Sequence, residues 1–176
     1  MIGGMQLATK RLRLREFVGK DHDAVHRYAS DPEVTRYMDW GPNDENATRV
    51  FLQEARRSAA SYPRSRYALA VVRRDLDQLI GSVELQLAGG KPDSGALGYV
   101  FARQSWGNGY ATEAADALLR YGFDELGLHE IMATCDPSNS ASAAVLEKIG
   151  MRPEGYLEHH VYAKGEWRDR LLFVAP

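Results

Sequence analysis

Cysteine is almost missing from this chain: Cys135 stands alone in 176 residues. One thiol excludes an internal disulfide framework and fits a reducing compartment. Long apolar runs are missing too, since none approaches the ~20 residues needed to span a bilayer. The opening Met1-Ile-Gly-Gly-Met5 has neither a charged start nor a long apolar stretch, so no signal peptide is expected. With 22 basic and 24 acidic residues, net charge is small. There is no general pull toward nucleic acid or an anionic membrane. Internal repeats, low-complexity tracts, a His-Glu-x-x-His metal motif and a Gly-Lys-Ser/Thr phosphate loop are absent. What remains is a cytoplasmic protein, expected to fold as a single domain over residues 1–176 with residues 1–8 flexible.

The rest of the composition, 44% hydrophobic and 26% charged, suits a globular domain with a substantial core. Alternation over residues 9–16 predicts a half-buried strand whose Arg11, Arg13 and Arg15 form one solvated face. Asp21 is placed to cap a helix over residues 22–30, which Asp31-Pro32 ends. His22 and His26 lie at i, i+4 but have no third ligand nearby in sequence, and read as surface histidines. A loop over residues 33–42 leads to a second helix near residues 45–58. Residues 67–72 read as a central strand. Residues 79–87 alternate, with Leu79, Val83, Leu85 and Leu87 on one face and Ser82, Glu84 and Gln86 on the other.

A turn over residues 89–95 makes that strand and residues 97–103 an antiparallel hairpin. A helix to about Leu126 turns Ala111, Ala114, Ala115, Leu118 and Gly122 inward, and Glu113, Asp116, Arg120 and Asp124 outward. A strand over residues 129–135 follows, then a helix over residues 140–149 capped by Asn139. Strands over residues 155–162 and 167–174 form a closing hairpin. This order predicts an α/β (mixed α+β) fold with helices on both faces of one sheet.

The chemically richest stretch is Trp106-Gly107-Asn108-Gly109-Tyr110-Ala111-Thr112, where a strand passes into a helix. Two glycines permit positive φ and the close approach of a bulky anion. The first amides of a helix lack internal partners, so residues 109–112 are able to aim N–H groups at phosphate oxygens, aided by the helix dipole. Thr112 occupies the third glycine position of a dinucleotide fingerprint, which disfavours NAD, and the missing Gly-Lys-Ser/Thr disfavours ATP. Without a ligand, the same residues make a glycine-rich turn.

The spacing Gln104-x-x-Gly107-x-Gly109 resembles the acetyl-CoA loop of the GNAT N-acetyltransferases. The longer string from Trp106 to Ala114 is similar to the RimJ/RimL-like branch. Thr9-x-Arg11-Leu12-x-Leu14-Arg15 matches that branch's opening. Asn139-x-x-Ser142…Glu147-Lys148-x-Gly150 matches its second signature, with Met151 where phenylalanine is usual. The resemblance implies a mostly antiparallel sheet of six to seven strands, splayed in a V between the strand before the glycine loop and the strand at Ile131. It implies acetyl-CoA or CoA held by Val100, Phe101, Arg103, Gly107, Asn108, Gly109, Tyr110, Ala111, Thr112, Asn139 and Ser142. It also implies direct transfer, in a ternary complex, to a primary amine of a peptide or small molecule, for some members a ribosomal-protein N-terminus. The connection between the first two helices shapes the acceptor site in this family, which nominates Tyr37 and Trp40.

Moving an acetyl group from a thioester to an amine needs a neutral amine, donors for the oxyanion and help for the departing thiolate. Backbone N–H groups of residues 100–103 are candidates for the oxyanion, and Ser142 for the thiolate. Glu84 and Glu158 are the candidate bases, each otherwise a solvated carboxylate. An α-amine is already about a tenth neutral at pH 7, so little basic assistance is required. Cys135 offers a rival covalent route that would need a lowered thiol pKa. His159 and His160 are adjacent on a strand and face opposite ways, so no metal set emerges. Two other classes stay open: a CoA-binding sensor without transfer activity, and a protein using the loop for another nucleotide. The last strand offers an edge for pairing with a second copy of the chain.

Overall fold

A computed structural model describes residues 4–89 and 93–176, so part of the expected turn over residues 89–95 lies outside the described residues. The chain runs β1 (Gln6–Ala8), β2 (Leu12–Glu16), α1 (His22–Ala29), α2 (Pro32–Thr35), α3 (Glu45–Ala59), β3 (Arg66–Arg73), β4 (Gln78–Leu87) and β5 (Ser94–Phe101). It continues with α4 (Tyr110–Asp124), β6 (Glu130–Cys135), α5 (Ser140–Lys148), β7 (Arg152–Ala163) and β8 (Glu166–Ala175). The described residues form one eight-stranded sheet in the order β1-β2-β3-β4-β5-β6-β8-β7. Every neighbouring pair is antiparallel except β5 and β6.

Strand alternation sorts two cores onto the two faces. Leu69 and Val71 of β3 join Val83 and Leu85 of β4 and Ala114, Ala115 and Leu118 of α4 in one cluster. Ala68 and Ala70 point the other way, to Val25 and Tyr28 of α1 and Leu52 and Ala55 of α3. No described helix is long and apolar enough to cross a membrane.

The sheet is wider than expected because the segment expected to be flexible contributes β1, paired with β2 at Leu7↔Leu14. The cause lies across the molecule at Glu113. Its carboxylate accepts from the Thr9 hydroxyl at 2.6 Å, the Arg11 backbone N–H at 2.8 Å and Arg11 Nε at 2.7 Å. This pins the turn between β1 and β2, so β2 starts only at Leu12, and Glu113 is not turned out to solvent.

Four local readings also change. Asp21 makes no side-chain cap on α1. It takes both guanidinium nitrogens of Arg15 at 2.7 and 2.9 Å and the Val18 N–H at 2.9 Å, with its side chain only 5% exposed. Arg11, Arg13 and Arg15 each have their own carboxylate, Arg11 with Glu113, Arg13 with Asp77 and Arg15 with Asp21, in place of one shared solvated face. The β3–β4 register steps from Val71↔Gly81 to Val72↔Leu79, leaving Ile80 as an extra residue. That bulge sends Ile80 to the α4-side core and Leu79 to the other, so Leu79 does not share a face with Val83. Finally, Asp31-Pro32 both ends α1 and starts α2, with Asp31 Oδ1 accepting the Glu33 N–H at 3.0 Å.

Candidate active site

The parallel pair β5–β6 is matched only over Ser94↔Glu130, Gly95↔Ile131 and Ala96↔Met132. Beyond that point β5 continues along β4 as far as Phe101, and β6 continues along β8 as far as Cys135. The two strands part as a V, and the gap opens into a cleft of about 680 Å³. Leu97, Gly98, Tyr99 and Val100 line it from β5, Ala133, Thr134 and Cys135 from β6, and Ser142 and Leu146 from α5. Tyr37, Met38, Asp39 and Trp40, between α2 and α3, line it as well.

That roof is fastened from the far end of the chain. Lys164 Nζ, in the turn between β7 and β8, donates to the Thr35 carbonyl at 2.6 Å. Arg168 donates to the Met38 carbonyl at 3.3 Å, and Arg170 pairs with Asp39.

The glycine loop follows a short turn, Arg103–Ser105. Gly107 and Gly109 take φ of 74° and 77°, a region that favours glycine. Asn108 Nδ2 donates back to the carbonyls of Ser105 and Trp106 at 3.2 and 2.9 Å, and Trp106 Nε1 donates to Phe101 O at 2.9 Å. Arg11 holds the Asn108 carbonyl at 2.9 Å. Among the described residues no acceptor meets the N–H groups of Gly109, Tyr110, Ala111 and Thr112, and the first bond of the helix runs from Glu113 N–H to Gly109 O at 3.1 Å. Open amides at a helix N-terminus suit a diphosphate.

On the opposite arm, Asn139 Oδ1 accepts the Ser142 N–H at 3.1 Å, so Asn139 caps α5 while lining the cleft. The Tyr99 hydroxyl lies 2.9 Å from Ser142 Oγ and donates to Ser142 O at 3.0 Å. Burial pushes the Tyr99 phenol above its ordinary range. Sequence reading missed Tyr99, although alternation with Leu97 and Phe101 marked it as facing α4 and α5.

Glu84, Tyr37 and Trp40 meet at the same cleft. Glu84 Oε2 is bonded to Arg66 at 2.7 Å, and Arg66 lies 3.9 Å from Glu54. Arg170, only 3% exposed, pairs with Asp39 and lies 3.6 Å from Asp136. Two arginines are thus each shared by two carboxylates, a pattern scattered over four elements and two loops and invisible in sequence.

Other nominated residues stand apart. The Phe101 side chain is buried in the core, and Arg103 pairs with Asp31 at 3.0 Å, outside the cleft lining. The Ala102 N–H is engaged by Ile80 O at 2.8 Å, which removes it from the oxyanion candidates. Glu158 is exposed on β7 and does not line the cleft. The β7–β8 register jumps from Leu157↔Arg170 to Val161↔Arg168, so residues 158–160 stand outside the ladder. His159 and His160 are exposed with it, and His22 and His26 stack on α1 away from the lining. Cys135 lines the cleft, but burial and then the neighbouring Asp136 push its thiol up. That keeps it protonated and argues against a thiolate nucleophile.

The chain belongs to the GNAT acetyltransferase family, whose acetyltransferase (GNAT) domain matches residues 11–152. Within it, the chain is similar to YnaD of Bacillus subtilis (strain 168), described as an uncharacterized N-acetyltransferase, at 38% identity over 97% of this chain and 96% of that protein. A GNAT-family acetyltransferase from Bacillus anthracis superposes with a TM-score of 0.86 at 36% identity, covering 97% of this chain and 98% of that one. RimJ of Mycobacterium smegmatis, solved in complex with CoA-disulfide, gives 0.80 at 26% identity over 93% of this chain and 81% of that one. The protein is an acetyl-CoA-dependent N-acetyltransferase of RimJ/RimL-like type.

Proposed function

We propose that acetyl-CoA binds with its diphosphate on the amides of residues 109–112, its pantetheine arm in the parting of β5 and β6, and its thioester beside Ser142. A primary amine, from a protein N-terminus or a small molecule, attacks it directly in a ternary complex. One observation carries this reading: the β5–β6 ladder ends at Ala96↔Met132 and opens a cleft lined by Asn139 and Ser142, while the chain that leaves β5 runs on to the unpartnered amides at the mouth of α4.

The acceptor enters past Tyr37 and Trp40. Its nitrogen forms the new C–N bond, the C–S bond breaks, and a backbone N–H of Phe101 or Arg103 steadies the oxyanion, since the Val100 N–H, like that of Ala102, faces β4 in the ladder. Glu84 takes the nitrogen's proton directly or through water, and the Ser142 hydroxyl donates to the departing sulfur. Asp39, Glu54, Glu84 and Asp136 outnumber Arg66 and Arg170 along the cleft, so its field favours an acceptor that arrives as a cation. A ribosomal-protein N-terminus is one such acceptor.

The test is thermal shift with CoA, acetyl-CoA, ATP and NAD, followed by free-thiol release across a panel of amines and N-terminal peptides. Stabilisation by CoA and thiol release with at least one amine are expected. Stabilisation by ATP or NAD but not CoA would overturn the cofactor reading. Tight CoA binding with no release from any acceptor would favour a sensor.

A further inference from the structure

We infer that Tyr99 is a positioning residue for the transfer step, aiming the Ser142 hydroxyl at the sulfur that departs. The inference rests on the proposed place of Ser142 beside the thioester. Tyr99 belongs to one arm of the V and Ser142 to the other, and the phenol oxygen meets both Ser142 Oγ at 2.9 Å and Ser142 O at 3.0 Å. The Ser142 N–H is already held by Asn139. The serine backbone is therefore gripped on two sides, and its hydroxyl proton is the free variable.

A phenol has one proton and an oxygen that also accepts. When that proton goes to the Ser142 carbonyl, the phenol oxygen is left to accept, and it draws the Ser142 O–H toward itself and away from the sulfur. When the phenol turns its proton onto Oγ, the serine O–H is released toward the sulfur. In that second arrangement Tyr99 donates to Ser142 and Ser142 donates to sulfur, each bond polarising the next. As the C–S bond breaks, the sulfur keeps the electron pair and is met by the Ser142 O–H. The acceptor nitrogen loses one proton to Glu84, and that proton ends on the thiolate. Tyr99 itself keeps its proton throughout, consistent with a buried phenol held above its ordinary pKa.

The experiment is a kinetic double-mutant cycle on the whole enzyme with Tyr99→Phe, Ser142→Ala and the double variant, using the best amine from the acceptor panel. Tyr99→Phe is expected to lower kcat about tenfold, the scale of one lost hydrogen bond, with KM for acetyl-CoA within about twofold and the CoA thermal shift retained. The double variant should be no slower than Ser142→Ala alone, because Tyr99 acts through that hydroxyl. Ser142→Thr, which keeps the hydroxyl, should outpace Ser142→Ala when Tyr99 is present and lose that advantage beside Tyr99→Phe. Full-speed Tyr99→Phe, or losses that multiply in the double variant, would overturn the inference. A Tyr99→Phe protein that melts early, with KM raised and kcat intact, would overturn it as well, in favour of a packing role. If Ser142→Ala runs at full speed, the inference falls with the placement of Ser142, while thiol release still supports acetyl transfer itself.

Discussion

The Arg11 guanidinium donates to the backbone carbonyl of Asn108 at 2.9 Å, across 97 residues of chain. A trans peptide unit points its C=O and N–H in opposite directions. Holding the Asn108 carbonyl from the β2 side therefore also fixes the direction of the Gly109 N–H, on the side left open for phosphate. Arg11→Ala should weaken CoA binding about tenfold while leaving kcat at saturation near the parent value, a split that isothermal titration and steady-state kinetics would resolve. Unchanged CoA affinity would mean that the loop holds its shape without Arg11.

Gly109 tests the same loop more harshly. An added Cβ would sit 3.5 Å from an Arg11 nitrogen, an ordinary contact, so Gly109→Ala is penalised by its φ of 77° rather than by crowding. The expected loss of stability is about 1–2 kcal/mol. Gly109→Asp adds a negative charge where the diphosphate is proposed to lie, and should abolish the CoA-induced rise in melting temperature. A normal rise in that variant would place the cofactor elsewhere.

The buried pair Arg15–Asp21 supports a stability prediction. Asp21→Ala leaves the Arg15 guanidinium, the Val18 N–H and a nearly closed site without their shared acceptor. A loss of about 3 kcal/mol is expected in urea unfolding. A loss below about 1 kcal/mol would show that water replaces the carboxylate at little cost.

Glu113 connects acidity to folding. Burial opposes its ionised form, but the Thr9 hydroxyl and then the Arg11 backbone N–H and guanidinium outweigh it and hold the carboxyl below its ordinary value of 4.5. A depressed folded pKa contributes stability that is complete above the ordinary value and is lost as pH falls through the depressed one. Glu113→Gln should therefore be less stable than the parent at neutral pH, with the gap narrowing as the solution is acidified below 4.5. Melting curves for the two proteins that stay parallel across that window would contradict this.

Gly81 lies against the β5 wall of the cleft, where an added Cβ would meet the Val100 carbonyl oxygen at 2.4 Å. Backbone cannot swing aside as a side-chain tip does. Gly81→Ala should cost about 1–3 kcal/mol and disturb turnover by shifting residues 100 and 101. Differential scanning calorimetry and thiol release measure the two effects.

Local rules made much of this architecture readable. A short apolar run bounded by charges located β3, alternation located β4, the apolar stripe oriented α4, and two glycines before Tyr110 marked the helix mouth. Asn139 was legible as a cap because its partner, the Ser142 N–H, is three residues away. What escaped depends on distant partners. Asp21 looks like a cap until Arg15 is brought alongside, and Glu113 looks solvent-facing until Thr9 and Arg11 fold over it. The bulge at Ile80 has no composition signal, so the face of Leu79 was misjudged. Tyr99 and Ser142 are 43 residues apart, and only the parting of two strands makes them neighbours.

The clasp that Lys164, Arg168 and Arg170 make on residues 35–39 spans about 130 positions of sequence. With the acceptor entering past Tyr37 and Trp40 as proposed, selectivity for the incoming amine would be governed in part by the C-terminal ribbon, through Lys164 and Arg168 outside the cleft lining. Clipping the ribbon, or hanging a bulky fusion on it, should broaden or blur acceptor choice while the coenzyme grip stays intact. Conversely, directed evolution toward a new acceptor has a remote handle at Lys164 and Arg168 that leaves the reacting groups untouched.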